Sequence, residues 1–143
     1  MAKELRVLLV EDNENDVAIL RRAFGNHPGL ASLSHVWDGA EALRYLLQEG
    51  EYTGAPRPDL VITCLNLPKI DGLEVLARLK EDESLRRIPV VVLTNSEREE
   101  DMVRAYDSGA ASFLTKPVDR RGYDRVIQVV SDFARIGRQI GAD

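Results

Sequence analysis

An α/β fold with a doubly wound parallel sheet is what this sequence predicts. Five short apolar runs alternate with five stretches of helical periodicity. That alternation calls for a parallel sheet covered by helices on both faces. Two of the runs, Val7-Leu8-Leu9-Val10 and Val90-Val91-Val92-Leu93, are apolar at every position, as strands buried on both faces are. With 143 residues the chain is long enough for one domain with a real core.

The elements follow in order. Leu5 to Val10 is the first strand and runs into Glu11-Asp12. A helix comes next, with Val17, Leu20 and Phe24 at spacings of three and four, stopped by the breakers Gly25-Asn26-His27-Pro28-Gly29. Ser32 to Trp37 is a second, weaker strand. Asp38 with Glu41 three residues on gives a capping-box start to the second helix, whose apolar face is expected at Ala40, Leu43 and Leu47. The loop Gly50 to Pro58 leads to the third strand, Leu60 to Cys64. Asp71 to Glu81 is the third helix, with Val75, Leu76 and Leu79 inward. Pro89 to Thr94 is the fourth strand. Glu97 to Ser108 is the fourth helix, ended by Gly109 as a C-cap. Ala111 to Thr115 is a short fifth strand, broken by Lys116-Pro117, and Asp119 caps a last helix that runs to about Ile140. The expected organisation is one domain over 1–143, with a core of about residues 4–137 and a short tail.

The last helix carries two apolar stripes. Tyr123, Val126, Ile127, Val130 and Ala134 form one, and Val129, Phe133, Ile136 and Ile140 form a second. A helix on the outside of a sheet needs only one. The second is either a broadened core face or the contact of a symmetric homodimer.

Composition narrows the function. A net charge of −5 and a pI near 5.1 argue against a nucleic-acid footprint. There is no apolar run long enough to span a membrane, and the Val7–Val10 stretch is too short for a secretory signal. A single cysteine cannot form an internal disulfide, and a cytoplasmic location is expected. His27 and His35 are expected on the surface, and Trp37 over the edge of the sheet.

Parallel strands bring their C-terminal ends to one edge, where ligands of such sheets bind. Glu11, Asp12, Cys64, Thr94 and Lys116 fall there, with Asn66 just beyond the third strand. Two carboxylates suit a hard divalent cation. A hydroxyl and an ammonium suit the oxygens of a phosphoryl group.

Together these motifs resemble response-regulator receiver domains, the acceptor half of two-component phosphorelays, over nearly the whole chain. The resemblance implies the flavodoxin-like strand order 2-1-3-4-5, which the alternation alone does not fix. It also implies that Glu11 and Asp12 bind Mg2+, with the backbone carbonyl of Asn66 as a further ligand. Thr94 would bind the phosphoryl group after activation, Lys116 would be the basic partner of the acceptor, and Phe113 would be the switch aromatic. The segments Glu11 to Asp16, Gly50 to Pro58 and Arg86 to Thr94 resemble single-domain receivers paired with bacterial phytochrome-type histidine kinases. The sequence continues past the fifth strand with one helix only, so a stand-alone signalling receiver is expected, not an enzyme with a separate substrate.

Cys64 departs from the family. It lies in Asp59-Leu60-Val61-Ile62-Thr63-Cys64-Leu65-Asn66, at the position where the family carries its phospho-accepting aspartate. Sulfur is a poor ligand for Mg2+, so the metal site is expected to be weakened. The neighbouring carboxylates disfavour a thiolate and Lys116 favours it, so the sequence leaves the sign of the thiol's shift open. Three readings follow: deliberate replacement of a working acceptor, a natural receiver that has lost phosphotransfer, or a thiol function such as redox sensing or soft-metal binding.

Overall fold

The computed structural model describes residues 5–27 and 29–141. The elements are β1 (Leu5–Val10), α1 (Glu14–Gly25), β2 (Leu30–Val36), α2 (Gly39–Leu46), β3 (Leu60–Thr63), α3 (Gly72–Glu81), β4 (Val90–Thr94), α4 (Glu99–Asp107), β5 (Ser112–Thr115) and α5 (Arg120–Gly141), with one 3-10 turn at Gly50–Tyr52. The strands form one parallel sheet in the order β2-β1-β3-β4-β5, the order expected.

Side chains on successive strand residues point to opposite faces, so each strand feeds two cores. Val7, Leu9, Leu60, Ile62, Val91 and Leu93 pack under α1 and α5. Leu8, Val10, Val61 and Val90 pack under α2 and α3. Burial on both faces explains why these strands read as continuous apolar runs.

Side-chain caps set most helix starts. Asn13 Oδ1 accepts from the Asp16 amide at 3.0 Å, Asp71 Oδ1 from Glu74 at 2.9 Å, and Asp119 Oδ1 from Gly122 at 2.9 Å. Asp38 Oδ1 accepts from the Glu41 amide at 2.7 Å, and Glu41 reaches back to the Trp37 amide at 2.7 Å. The expected capping box is present, with its return bond one residue earlier than the cap. Gly109 follows the end of α4 at φ +102°, a conformation L side chains rarely adopt.

Three expectations need correction. The buried residues of α2 are Gly39, Ala42, Leu43, Tyr45 and Leu46, whereas Ala40 is half-buried and Leu47 is 47% exposed. The helix ends at Leu46 and the backbone turns to positive φ at Gln48, which carries Leu47 away from the core. His27 and His35 are half-buried, not surface residues; His35 Nε2 lies 2.8 Å from the Glu11 carbonyl oxygen, to which it donates. Its ring meets that of the exposed Trp37 edge-on at 4.2 Å. Strand β2 starts at Leu30 and stops at Val36, before Trp37.

The first stripe of α5 is fully buried, from Tyr123 to Ala134. In the second stripe Val129 and Phe133 are half-buried and Phe133 packs against the core, while Ile136 and Ile140 are exposed. The far end of α5 is fastened at the opposite edge of the sheet from the strand ends. Asp59 accepts from the Arg6 amide at 2.9 Å and from Arg138 Nε and Nη2 at 2.7 and 2.8 Å. Gly137 lets the helix come that close, because a Cβ there would stand 2.0 Å from the Asp59 carbonyl oxygen. Among the described residues no helix is long and apolar enough to cross a membrane.

Candidate functional site

The sheet register determines which strand ends meet. Val10 lies beside Thr63, so the next residues, Glu11 and Cys64, become neighbours. Thr94 pairs with Thr115, and the amide of the following Lys116 donates to the Thr94 carbonyl at 2.7 Å. Glu11, Asp12, Cys64, Asn66, Thr94 and Lys116 therefore line one cleft of about 650 Å³. All six residues expected at the cleft are brought together.

Glu11 is the buried centre of the cleft, at 1% exposure. Its Oε1 accepts from Lys116 Nζ at 2.9 Å, and its Oε2 accepts from the Cys64 thiol. Lys116 Nζ also donates to Asp16 Oδ2 at 2.7 Å. Thr94 is buried, and its Oγ1 accepts from the Ser96 amide at 3.1 Å. Ser96 Oγ donates to Asp101 Oδ2 at 2.6 Å and so tethers the loop after β4 to α4. Asp12 is exposed, and its carboxylate has no hydrogen bond or ion pair among the described residues. The loop after β3 folds tightly over Cys64. Gly72 donates its amide to the Leu65 carbonyl at 2.8 Å, and a Cβ on it would lie 1.7 Å from the Cys64 carbonyl oxygen.

Phe113 does not line the cleft. It is half-buried against Leu65, Val92 and Ala105, and its amide donates to the Tyr106 hydroxyl at 3.1 Å. Val129, Phe133, Ile136 and Ile140 lie on α5, outside the cleft. Sequence reasoning missed Asp16, Ser96, Arg98, Asp101 and Arg104, which with Asn13 and Asn95 complete the lining. For Asp16 the signal was available: it stands four residues after Asp12, at the start of a helix entered directly from the strand end.

The sign of the thiol's shift follows from its surroundings. Burial, then the charge of Glu11 and the hydrogen bond to it, push the Cys64 thiol far above its ordinary value; Lys116 opposes them and is outweighed. A thiol held neutral does not suit the redox alternative, which needs a thiolate. Burial pulls the Lys116 ammonium down, but its hydrogen bonds to Asp16 and Glu11 outweigh that and hold it up.

Among the described residues no three His, Cys, Asp or Glu side chains are grouped to hold a metal by themselves. A hard divalent cation nevertheless fits the donors present. Mg2+ takes few protein oxygens and keeps several waters. The free Asp12 carboxylate, the Glu11 carboxylate and the chain around Asn66 offer such oxygens in one open cleft, and the Cys64 sulfur is the poor donor in the set.

The raised thiol has a consequence for stability. The unfolded chain ionises its thiol above about pH 8.5, while the folded chain keeps it neutral. Folding stability is therefore present below that pH and is lost as pH rises beyond it. Thermal melts between about pH 7 and about pH 10, below the ordinary lysine value, should show a falling midpoint. Cys64→Ala should flatten that fall; an equal slope in both proteins would contradict the assignment.

Comparison with known proteins agrees with this geometry. The family model described as the response regulator receiver domain matches residues 7–128. The response regulator Rcp1 of Synechocystis sp. is 39% identical over 127 residues, covering 89% of this chain and 86% of that protein. The phosphorylated cyanobacterial phytochrome response regulator RcpA superposes with a TM-score of 0.84 at 42% identity, covering 91% of this chain and 93% of that one. The Mn2+-bound form of Rcp1 superposes with a TM-score of 0.81 at 38% identity, covering 90% and 93%. The sheet order, the cleft at the strand ends and these matches agree: the chain belongs to the response-regulator receiver domain family.

Proposed function

We propose that this chain is a two-component signalling receiver in which Cys64 occupies the acceptor position. It would dock on a sensor histidine kinase and bind Mg2+ weakly, without taking the phosphoryl group by the usual chemistry. The likeness to Rcp1 and to the phytochrome response regulator RcpA supports a kinase partner of phytochrome type. The Mn2+-bound form of Rcp1 supports a divalent cation at the strand ends. Glu11, Asp12 and the Asn66 carbonyl would hold that cation, which when bound neutralises charge on phosphoryl oxygens. Thr94 and Lys116 would supply the hydroxyl and ammonium for the same oxygens. Phe113, packed between β4 and α4, would report the state of Thr94 to the surface of α4.

One observation carries the loss of phosphotransfer: the Cys64 thiol is buried and donates a hydrogen bond to Glu11. An aspartate at this address offers an oxygen anion at neutral pH. A thiol must first lose its proton, and Glu11 with the surrounding burial opposes that loss. Incubation with a small acyl phosphate and Mg2+, followed by intact mass, should show no phosphate adduct. Cys64→Asp should label at least about a hundredfold faster, the scale of a nucleophile replacement. Equal labelling of the two proteins would contradict the proposal.

We further propose that the second stripe of α5 is a homodimer contact. Ile136 is 49% and Ile140 38% exposed, and their i,i+4 spacing puts them on one side of the helix. Sedimentation should give a dimer for the unmodified chain and a monomer for Ile136→Asp. Ile136 is the better probe than Phe133, which also packs on the core. A monomeric unmodified chain at micromolar concentration would end the idea.

A further inference from the structure

Lys116 has two carboxylate partners, and they differ in what else they do. Glu11 Oε1 lies 2.9 Å from its Nζ and Asp16 Oδ2 lies 2.7 Å away. Glu11 is also a donor that a cation in this cleft would require. Asp16 stands on the first turn of α1, where its own amide is fixed by the Asn13 cap at 3.0 Å. The Lys116 side chain is only 10% exposed, so its ammonium is costly to leave without an anion.

We propose that Asp16 is a positioning residue that retains Lys116 when Glu11 turns to a divalent cation. This rests on the cation reading given above. With Glu11 alone, the cation and the ammonium compete for one carboxylate, and binding the first strands the second. With Asp16 present, Lys116 keeps a partner throughout and remains beside residue 64. The handover costs less, and the cation binds more tightly. A simpler effect has the same sign, because any added carboxylate attracts a cation through space. The two differ in whether they need Lys116 and in how they respond to salt. Direct pairing runs through Lys116 and is little screened, while long-range attraction acts without Lys116 and fades with ionic strength.

The test is calorimetric titration of Mn2+ into the full chain with Cys64 retained, so that Glu11 and Asp16 remain the two carboxylates bonded to Lys116. Adding Asp16→Asn should lower Mn2+ affinity about three- to tenfold, a coupling typical of groups in direct contact. With Lys116→Met also present, the same Asp16→Asn change should alter affinity by less than about twofold. The loss caused by Asp16→Asn alone should also persist at high salt, a measurement that does not depend on the Lys116 variant folding. Unchanged affinity in Asp16→Asn, an equal loss with and without Lys116, or a loss abolished by salt would each overturn this proposal and leave the cation reading standing. If the unmodified chain binds no Mn2+ at all, the cation reading falls and this proposal with it.

Discussion

A carboxylate all but sealed from water ends β1, and an ammonium that follows β5, 105 residues later, holds it there. Either charge alone would be costly to bury. The pair Glu11–Lys116 exists only if the two strands run parallel, with β3 and β4 between them and their ends at one edge. The cores on the two faces of the sheet serve that arrangement. They fix the register that sets Glu11 beside Cys64 and Thr94 beside Thr115. The site is thus a consequence of sheet order, and its electrostatics are a consequence of burial at the strand ends.

The same carboxylate decides what Cys64 is. Glu11 has one oxygen on Lys116 and the other accepting from the thiol, and burial beside it holds the proton on the sulfur. An aspartate at residue 64 would bring a second negative charge within reach of Lys116 and of a cation. The thiol brings none. Two carboxylates, a hydroxyl and a lysine line the cleft beside a thiol, and the proposed loss of phosphoryl transfer rests on that thiol standing where a carboxylate would serve. The sheet is intact, and in the cleft Glu11, Asp16 and Lys116 are paired while the Asp12 carboxylate stays free among the described residues.

Much of the fold was legible because its signals are local. Apolar runs marked the strands, and Asp38, Asp71 and Asp119 marked helix starts where each caps an amide. The order of the strands was not local and came only with the family resemblance. The apolar face of α2 was misplaced by one residue because Leu47 falls after the helix has ended, a fact that depends on the backbone turn at Gln48. At the site, the strand-end residues were legible because parallel strands must deliver them to one edge. Asp16 could be placed near them by its spacing from Asp12, but its pairing with Lys116 could not, since that depends on how far the lysine side chain reaches across the cleft. The direction of the thiol's shift was equally hidden, because opposing charges near a cysteine balance differently once burial and one hydrogen bond are known.

The central claim is that Glu11 and Lys116 are energetically one unit. It is tested most directly by the stabilities of Glu11→Gln, Lys116→Met and the double variant, measured by denaturant unfolding beside the unmodified chain. Lys116→Met should be the most costly, because it leaves Glu11 buried with no cation, whereas Glu11→Gln leaves Lys116 its bond to Asp16. The double variant should be more stable than the sum of the single changes implies, by about 1–3 kcal/mol. Additive losses would contradict the account.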